Sequence, residues 1–311
     1  PHPFSGDQVV LVDTPTQFPE GIEPIIRKNW IEQLKAKQAA NIRGVGGVEP
    51  YETEIREFHS TPGGLPALYK VGVGTRDELL DQYPGPTITL MGTNVVPAHP
   101  RETNPGVDLL VGQTSYPYMQ ALQAEEIQAL FRAQDIKIPR PVFAICTFTE
   151  TVDDRLILTL RGPTNVYPER LSGVGGNPLF TSAKVIEHQY EEMEEEIRVG
   201  RQHVIGDMWF GGIGRDDTGI QNSPVLIGWS QIDLEYRQVQ ELVEAVPFEQ
   251  RERDAIGITS ASMKASELLE YLSNSEQNMF TPPAFAGLVI YGIHNFGHEW
   301  GTDLERRLDH L

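Results

Sequence analysis

Residues 186 to 199, Ile-Glu-His-Gln-Tyr-Glu-Glu-Met-Glu-Glu-Glu-Ile-Arg-Val, constrain the fold more than any other stretch of this chain. At 100° per residue, Ile186, Tyr190, Met193 and Ile197 fall on one face at spacings of four, three and four, a stripe that packs on a sheet. Glu192, Glu195 and Glu196 then share a flanking sector, at i, i+3 and i+4, where like charges repel by about 0.2 to 0.5 kcal/mol per pair. They also stand in the C-terminal half, where the helix dipole disfavours anions. A solvated helix face is one explanation of such a run. A hard divalent cation among the carboxylates, Mg²⁺ or Mn²⁺, is the other, since both prefer oxygen ligands.

Upstream, Val142 to Thr149 and Arg155 to Leu160 read as two strands joined by a hairpin turn at Asp153-Asp154. A glycine-bearing loop from Arg161 to Pro178 leads into the acidic helix, expected over residues 183 to 198. Downstream come strands near Val204 to Phe210 and Val225 to Leu234, and helices near Ser266 to Leu272 and Pro283 to Tyr291. Before all this, residues 1 to 139 show strands at Val9 to Val12, Ala67 to Val73 and Thr87 to Met91. Helices are expected from Pro24, with Ile26, Trp30 and Leu34 inward, and over Met119 to Gln134, with Leu122, Ile127, Leu130 and Phe131 inward. Pro139-Arg140-Pro141 breaks the pattern and marks a boundary. The expected organisation is therefore a smaller α+β N-terminal domain, 1–139, and a second domain, 140–311, in which mainly antiparallel strands alternate with helices as α+β layers.

Composition limits the partners. The 311 residues carry 44 acidic and 25 basic side chains, a formal charge of −19, which repels nucleic-acid backbones and anionic membrane surfaces. A phosphorylated small molecule remains an acceptable ligand if a basic side chain or a bound cation screens that field. The single cysteine, Cys146, excludes an intramolecular disulfide and Cys-x-x-Cys sites, which fits a reducing, cytoplasmic setting. No apolar run approaches the roughly 18 to 20 residues of a membrane helix. No Gly-Lys P-loop and no Gly-x-Ser-x-Gly elbow occurs. His294 and His298 stand at the spacing of two metal ligands on one helix, although Gly292 and Gly297 weaken a helix there.

The order Arg155 to Arg161, Tyr167-Pro168, Ser172-Gly-Val-Gly-Gly-Asn-Pro178 and a glutamate-rich helix resembles the core of the Nudix superfamily. That family's signature runs Gly, five residues, Glu, seven residues, then Arg-Glu-apolar-x-Glu-Glu-x-Gly-apolar. With its last position on Val199, Glu192, Glu195 and Glu196 match the three metal-binding or base glutamates, and Met193 and Val199 match the apolar positions. The signature's first glycine falls on Asn177, its isolated glutamate on Ala183, its arginine on Glu191 and its late glycine on Arg198. The resemblance covers residues 141 to 293. It implies a Nudix-like α/β/α sandwich with a mixed sheet, and either metal-dependent hydrolysis of a nucleoside-diphosphate-linked small molecule or a binding or regulatory module without turnover. In the first case Glu192, Glu195 and Glu196 hold Mg²⁺ or Mn²⁺, and Glu192 or Glu195 takes the proton. Arg161 and the amides of Gly175 and Gly176 receive the phosphates. Assembly into a homo-oligomer is left open by the sequence.

Overall fold

A computed structural model describes residues 4–13, 18–22, 24–25, 28, 86–96, 106–115, 124–136, 143–162, 167, 169–177, 184–215, 224–247, 255–275 and 279–309. Of the helix expected from Pro24, Pro24, Ile25 and Lys28 are described and helical, while its inward residues Ile26, Trp30 and Leu34 lie outside the described residues, as do the strand at Ala67 to Val73 and the break at Pro139-Arg140-Pro141.

The centre is a seven-stranded mixed sheet built from β1 (Phe4–Ser5), β5 (Ala144–Glu150), β6 (Arg155–Leu160), β7 (Leu171–Ser172), β8 (Val204–Arg215), β9 (Pro224–Ile232) and β10 (Gly257–Ser262). Its order is β1-β8-β9-β5-β6-β10, with β7 also on β6. The pairing of β5 with β9 is parallel, from Ala144↔Val225 to Glu150↔Gln231, where the sequence pattern suggested antiparallel neighbours. A second sheet joins β2 (Val9–Asp13), β4 (Gly106–Ser115) and β3 (Pro86–Val96).

Alternation along the strands sends side chains to two separate cores. Ile145, Ile157, Phe210 and Leu226 face α2 (Val185–Ile197) and α3 (Tyr236–Glu244), joined by Val9, Val107, Leu109 and Val111 of the small sheet. Cys146, Phe148, Leu158, Ile227 and Trp229 face α4 (Ala265–Asn274), α5 (Pro282–Phe296) and α6 (His298–Leu308). The second half is thus an α/β/α sandwich of the α+β class, as expected, although β1 of the first half closes one edge of its sheet. Gly6 lies beneath α2, where a Cβ would stand 2.7 Å from Ile186 Cδ1. The helix α1 (Glu125–Ala133) buries Ile127 and Phe131 and opens after an extended Ala124; the expected start at Met119, with Leu122, lies outside the described residues.

Among the described residues no helix is long and apolar enough to cross a membrane.

Candidate functional site

The sheet forks between β5 and β6. They pair only next to their hairpin, at Thr149↔Ile157 and Glu150↔Leu156. Beyond that the two strands part, and the segment 171–176 enters the gap. Its first half pairs with β6, as Thr159↔Ser172 and Leu160↔Leu171. Its second half bonds β5: the Thr147 and Val174 amides donate to each other's carbonyls at 2.8 Å, and the Ile145 amide donates to Gly176 O at 2.9 Å. Glycine is required for this close approach. A Cβ on Gly173 would lie 2.5 Å from Thr147 O, and one on Gly175, whose φ is +152°, 2.1 Å from Ile145 O.

One face of α2 lies along the inserted segment and holds it residue by residue. The Gln189 Nε2 donates to Val174 O at 3.3 Å, and the Gly175 amide donates to Glu196 Oε2 at 3.0 Å. Glu192, half-buried, rests on Gly176, where a Cβ would meet Glu192 Oε1 at 2.3 Å. Helical spacing explains the set: Gln189, Glu192 and Glu196 recur at intervals of three and four. Gln189 is a residue the sequence reading did not single out; its signal was that spacing.

Of the three candidate carboxylates, Glu196 is 4% exposed, whereas Glu195 is exposed on the helix flank. Partial burial, then the neighbouring charge of Glu191, holds the Glu195 carboxyl above its ordinary pKa; Arg198 opposes this. The Gly175 amide, expected to face phosphate, is engaged by Glu196 instead, and the Gly176 carbonyl is engaged by Ile145. Arg161 ends β6 beside the fork, and its Nε is buried with no hydrogen-bond partner among the described residues. Cys146, in the floor of the fork, is a buried thiol pushed up to about 11 by desolvation, and it senses both the Glu196 and Arg161 charges. It is therefore not a nucleophile at neutral pH.

The helix ends as the signature's glycine position demands. Arg198 takes φ +60° and ψ 27°, the left-handed conformation, and the Val199 amide donates to Met193 O at 3.2 Å. This closing turn is one that glycine usually occupies. Arg198 thus keeps the geometry of that position with another side chain. Exposed Glu191 stands where the signature has arginine, with Oε2 3.6 Å from Nδ1 of buried His188.

The donors here suit a divalent cation in kind. Glu192, Glu195 and Glu196 offer the hard carboxylate oxygens that Mg²⁺ or Mn²⁺ prefers, and two of them reach the glycine segment. Among the described residues no group of three or more His, Cys, Asp or Glu side chains is gathered in position to hold a metal. The fit therefore rests on the Glu192 and Glu196 pair, with Glu195 to one side. His294 and His298 do not share a helix: Gly297, at φ +89°, separates α5 from α6, and the His294 ring stacks 5.1 Å from that of Trp229.

No protein-family model matches the sequence, and no curated protein does. Solved structures do. One is a NUDIX hydrolase from Nitrosomonas europaea, 16% identical over 50% of this chain and 90% of that one, with a TM-score of 0.35. Another is a MutT protein from Methanosarcina mazei Go1, 13% identical over 50% and 94%, with a TM-score of 0.35. A third is a mutT/nudix family protein from Listeria innocua, 14% identical over 51% and 96%, with a TM-score of 0.33. The second half of this chain has the helical layers and the mixed sheet that the resemblance in its sequence implied, with the glycine segment leading into the acidic helix.

Proposed function

We propose that this chain is a divalent-cation-dependent hydrolase acting on a small molecule joined to a nucleoside diphosphate. The observation that supports it best is the placement of Glu196: a buried carboxylate held by the Gly175 amide where the glycine segment enters the sheet, with Glu192 one turn away on Gly176. The oxygens of Glu196 and those of Glu192 are the hard donors that Mg²⁺ or Mn²⁺ prefers, and both carboxylates stand against a segment whose glycines allow close approach.

Glu192 and Glu196 would hold the cation, which when bound neutralises charge on phosphate oxygens and acidifies a water. The Gly175 amide fixes the Glu196 carboxylate by a charge-assisted hydrogen bond. Arg161 supplies a guanidinium for a phosphate oxygen. Glu195, whose carboxyl is held above its ordinary pKa by partial burial and by Glu191, is the group that takes the proton in this reading.

A second reading, a binding module without turnover, is favoured by one observation: at position 191 a carboxylate, leaning towards His188, replaces the guanidinium that the resemblance expects there.

Hydrolysis of a panel of nucleoside-diphosphate conjugates to a nucleoside monophosphate and the phosphomonoester of the small molecule, in Mg²⁺ and in EDTA, separates the two. The hydrolase reading expects hydrolysis that EDTA abolishes and that Glu195→Gln lowers at least about 100-fold, a typical effect for a proton-transfer group. Ligand-dependent stabilisation with no hydrolysis of any conjugate would select the binding module.

A further inference from the structure

β6 leads into Arg161, and the chain returns at Arg170. The Arg161 amide donates to the Arg170 carbonyl at 2.9 Å, and the Glu169 amide to the Arg161 carbonyl at 3.2 Å. Two residues therefore oppose one, a bulge, and Glu169 occupies its left-handed position at φ +60°, where glycine is the usual choice. Tyr167, two residues before it, is left-handed as well, at φ +63°. Strain of this kind persists only where the surroundings enforce it, and it gathers at ligand clamps. Its result here is that the Arg170 guanidinium lies 5.2 Å over the Tyr167 ring.

Like charges set opposite each other destabilise a strand pair. With 44 acidic residues in the chain, each arginine could easily have been given a carboxylate. Yet among the described residues neither Arg161 nor Arg170 joins an ion pair. The buried, unpartnered Nε of Arg161 is an independent sign: a guanidinium N–H removed from water is costly until an acceptor reaches it. Arg161 also follows β6 at the fork, and its charge and that of Glu196 both act on the Cys146 thiol.

We propose that Arg161, Arg170 and Tyr167 form a subsite for a phosphate oxyanion that needs no metal, with the Tyr167 ring steadying the Arg170 guanidinium by cation–π contact. The carboxylates of α2 and this arginine pair then divide the diphosphate, one phosphate reached through the cation and the other gripped directly. The identity of the anion as part of the substrate rests on the hydrolase reading; the anion site itself does not.

Calorimetric titration of the full chain with inorganic pyrophosphate, in EDTA and at low salt, tests this. Wild type should bind, Arg170→Gln should bind at least about tenfold more weakly, and Arg170→Lys should fall between, because lysine keeps the charge but not the planar fork. Tyr167→Gly should raise the unfolding midpoint by relieving the backbone and at the same time weaken binding, a pairing that a purely structural role does not produce. Glu192→Gln/Glu196→Gln should still bind pyrophosphate in EDTA. Absence of binding by wild type, or equal binding by wild type and both Arg170 variants, overturns the proposal, and equal affinity for citrate overturns its assignment to phosphate. If no protein responds to Mg²⁺ while pyrophosphate binding still depends on Arg170, the hydrolase reading fails and the anion site stands. Should Arg170→Gln fail to fold by circular dichroism, Arg170→Lys and Tyr167→Gly carry the same comparison.

Discussion

The two faces of the central sheet are packed by different means. Against α4, α5 and α6 the interior is apolar and aromatic: Phe148, Trp229, Phe280, Leu288 and Trp300, with rings in edge-to-face and tilted contacts such as Trp229 with Tyr291. Against α2 the sheet instead presents Thr147, Thr149 and Ser230, all buried, to a helix that brings Gln189 and Glu196. Thr147 Oγ1 and Gln189 Nε2 both donate to Val174 O, while Thr149 Oγ1 and Gln189 Oε1 find no partner among the described residues. Burial of such groups is unfavourable unless they are hydrogen-bonded. Both faces bury an apolar core, and the α2 face in addition holds a glycine segment and the buried carboxylate of Glu196 in place.

The apolar face should show the largest loss when broken. Phe148→Ala removes a fully buried ring that touches the backbone of Gly287, and should cost about 3 to 5 kcal/mol in urea unfolding while leaving any response to Mg²⁺ unchanged. On the polar face, Glu196→Ala takes the acceptor from the Gly175 amide and should cost about 1 to 3 kcal/mol; Glu196→Gln, which keeps an acceptor, should lose less.

Glu150 is the exception that sharpens the contrast. It lies on the apolar side beside Tyr291, and burial raises its pKa from 4.5 to about 7, with a hydrogen bond from Tyr291 opposing the shift. Its carboxyl is thus more easily ionised in the unfolded chain than in the folded one. The stability this confers is complete below pH 4.5, declines as pH rises to about 7, and is gone above that. Glu150→Gln should flatten this part of the stability profile, by about 1 to 2 kcal/mol after allowing for the side chain's partial exposure. An unchanged slope would show that Glu150 is well solvated.

The smallest effect concerns the end of α2. Arg198→Gly relieves a left-handed residue and should stabilise by about 0.5 to 1 kcal/mol, the gain being reduced by glycine's freedom in the unfolded chain. The same change removes the charge that holds the Glu195 pKa down, so Glu195 should titrate at higher pH in this variant, as carboxyl NMR would show.

Local patterns in the sequence are legible in the fold. The stripe of Ile186, Met193 and Ile197 is buried, while Tyr190 sits at its margin, with the Arg201 guanidinium 4.7 Å over its ring. The hairpin at Asp153-Asp154 forms, with Asp154 at φ +60°. The helix α3 was not anticipated, although Tyr236, Val239 and Val243 recur at three and four; their short stripe is diluted by Arg237, Gln238, Gln240 and Glu241. Pairings between distant segments were not legible. Nothing local in Ala144–Glu150 or Pro224–Ile232 specifies that the two strands run parallel, because that register is set by the sandwich as a whole. For the site, the glutamates and the glycine segment could be read from spacing. The use of the Gly175 amide by Glu196 could not, since it follows from how deeply the segment enters the fork.

Thermal unfolding with and without millimolar Mg²⁺ or Mn²⁺, for wild type and Glu192→Gln/Glu196→Gln, tests the central claim most directly, because a cation bound only by the native state raises the midpoint by mass action. The account predicts a metal-dependent rise in wild type that disappears in the double variant. An identical response in the two proteins, or none in either, would contradict it and leave the buried carboxylate of Glu196 as a device for holding the glycine segment.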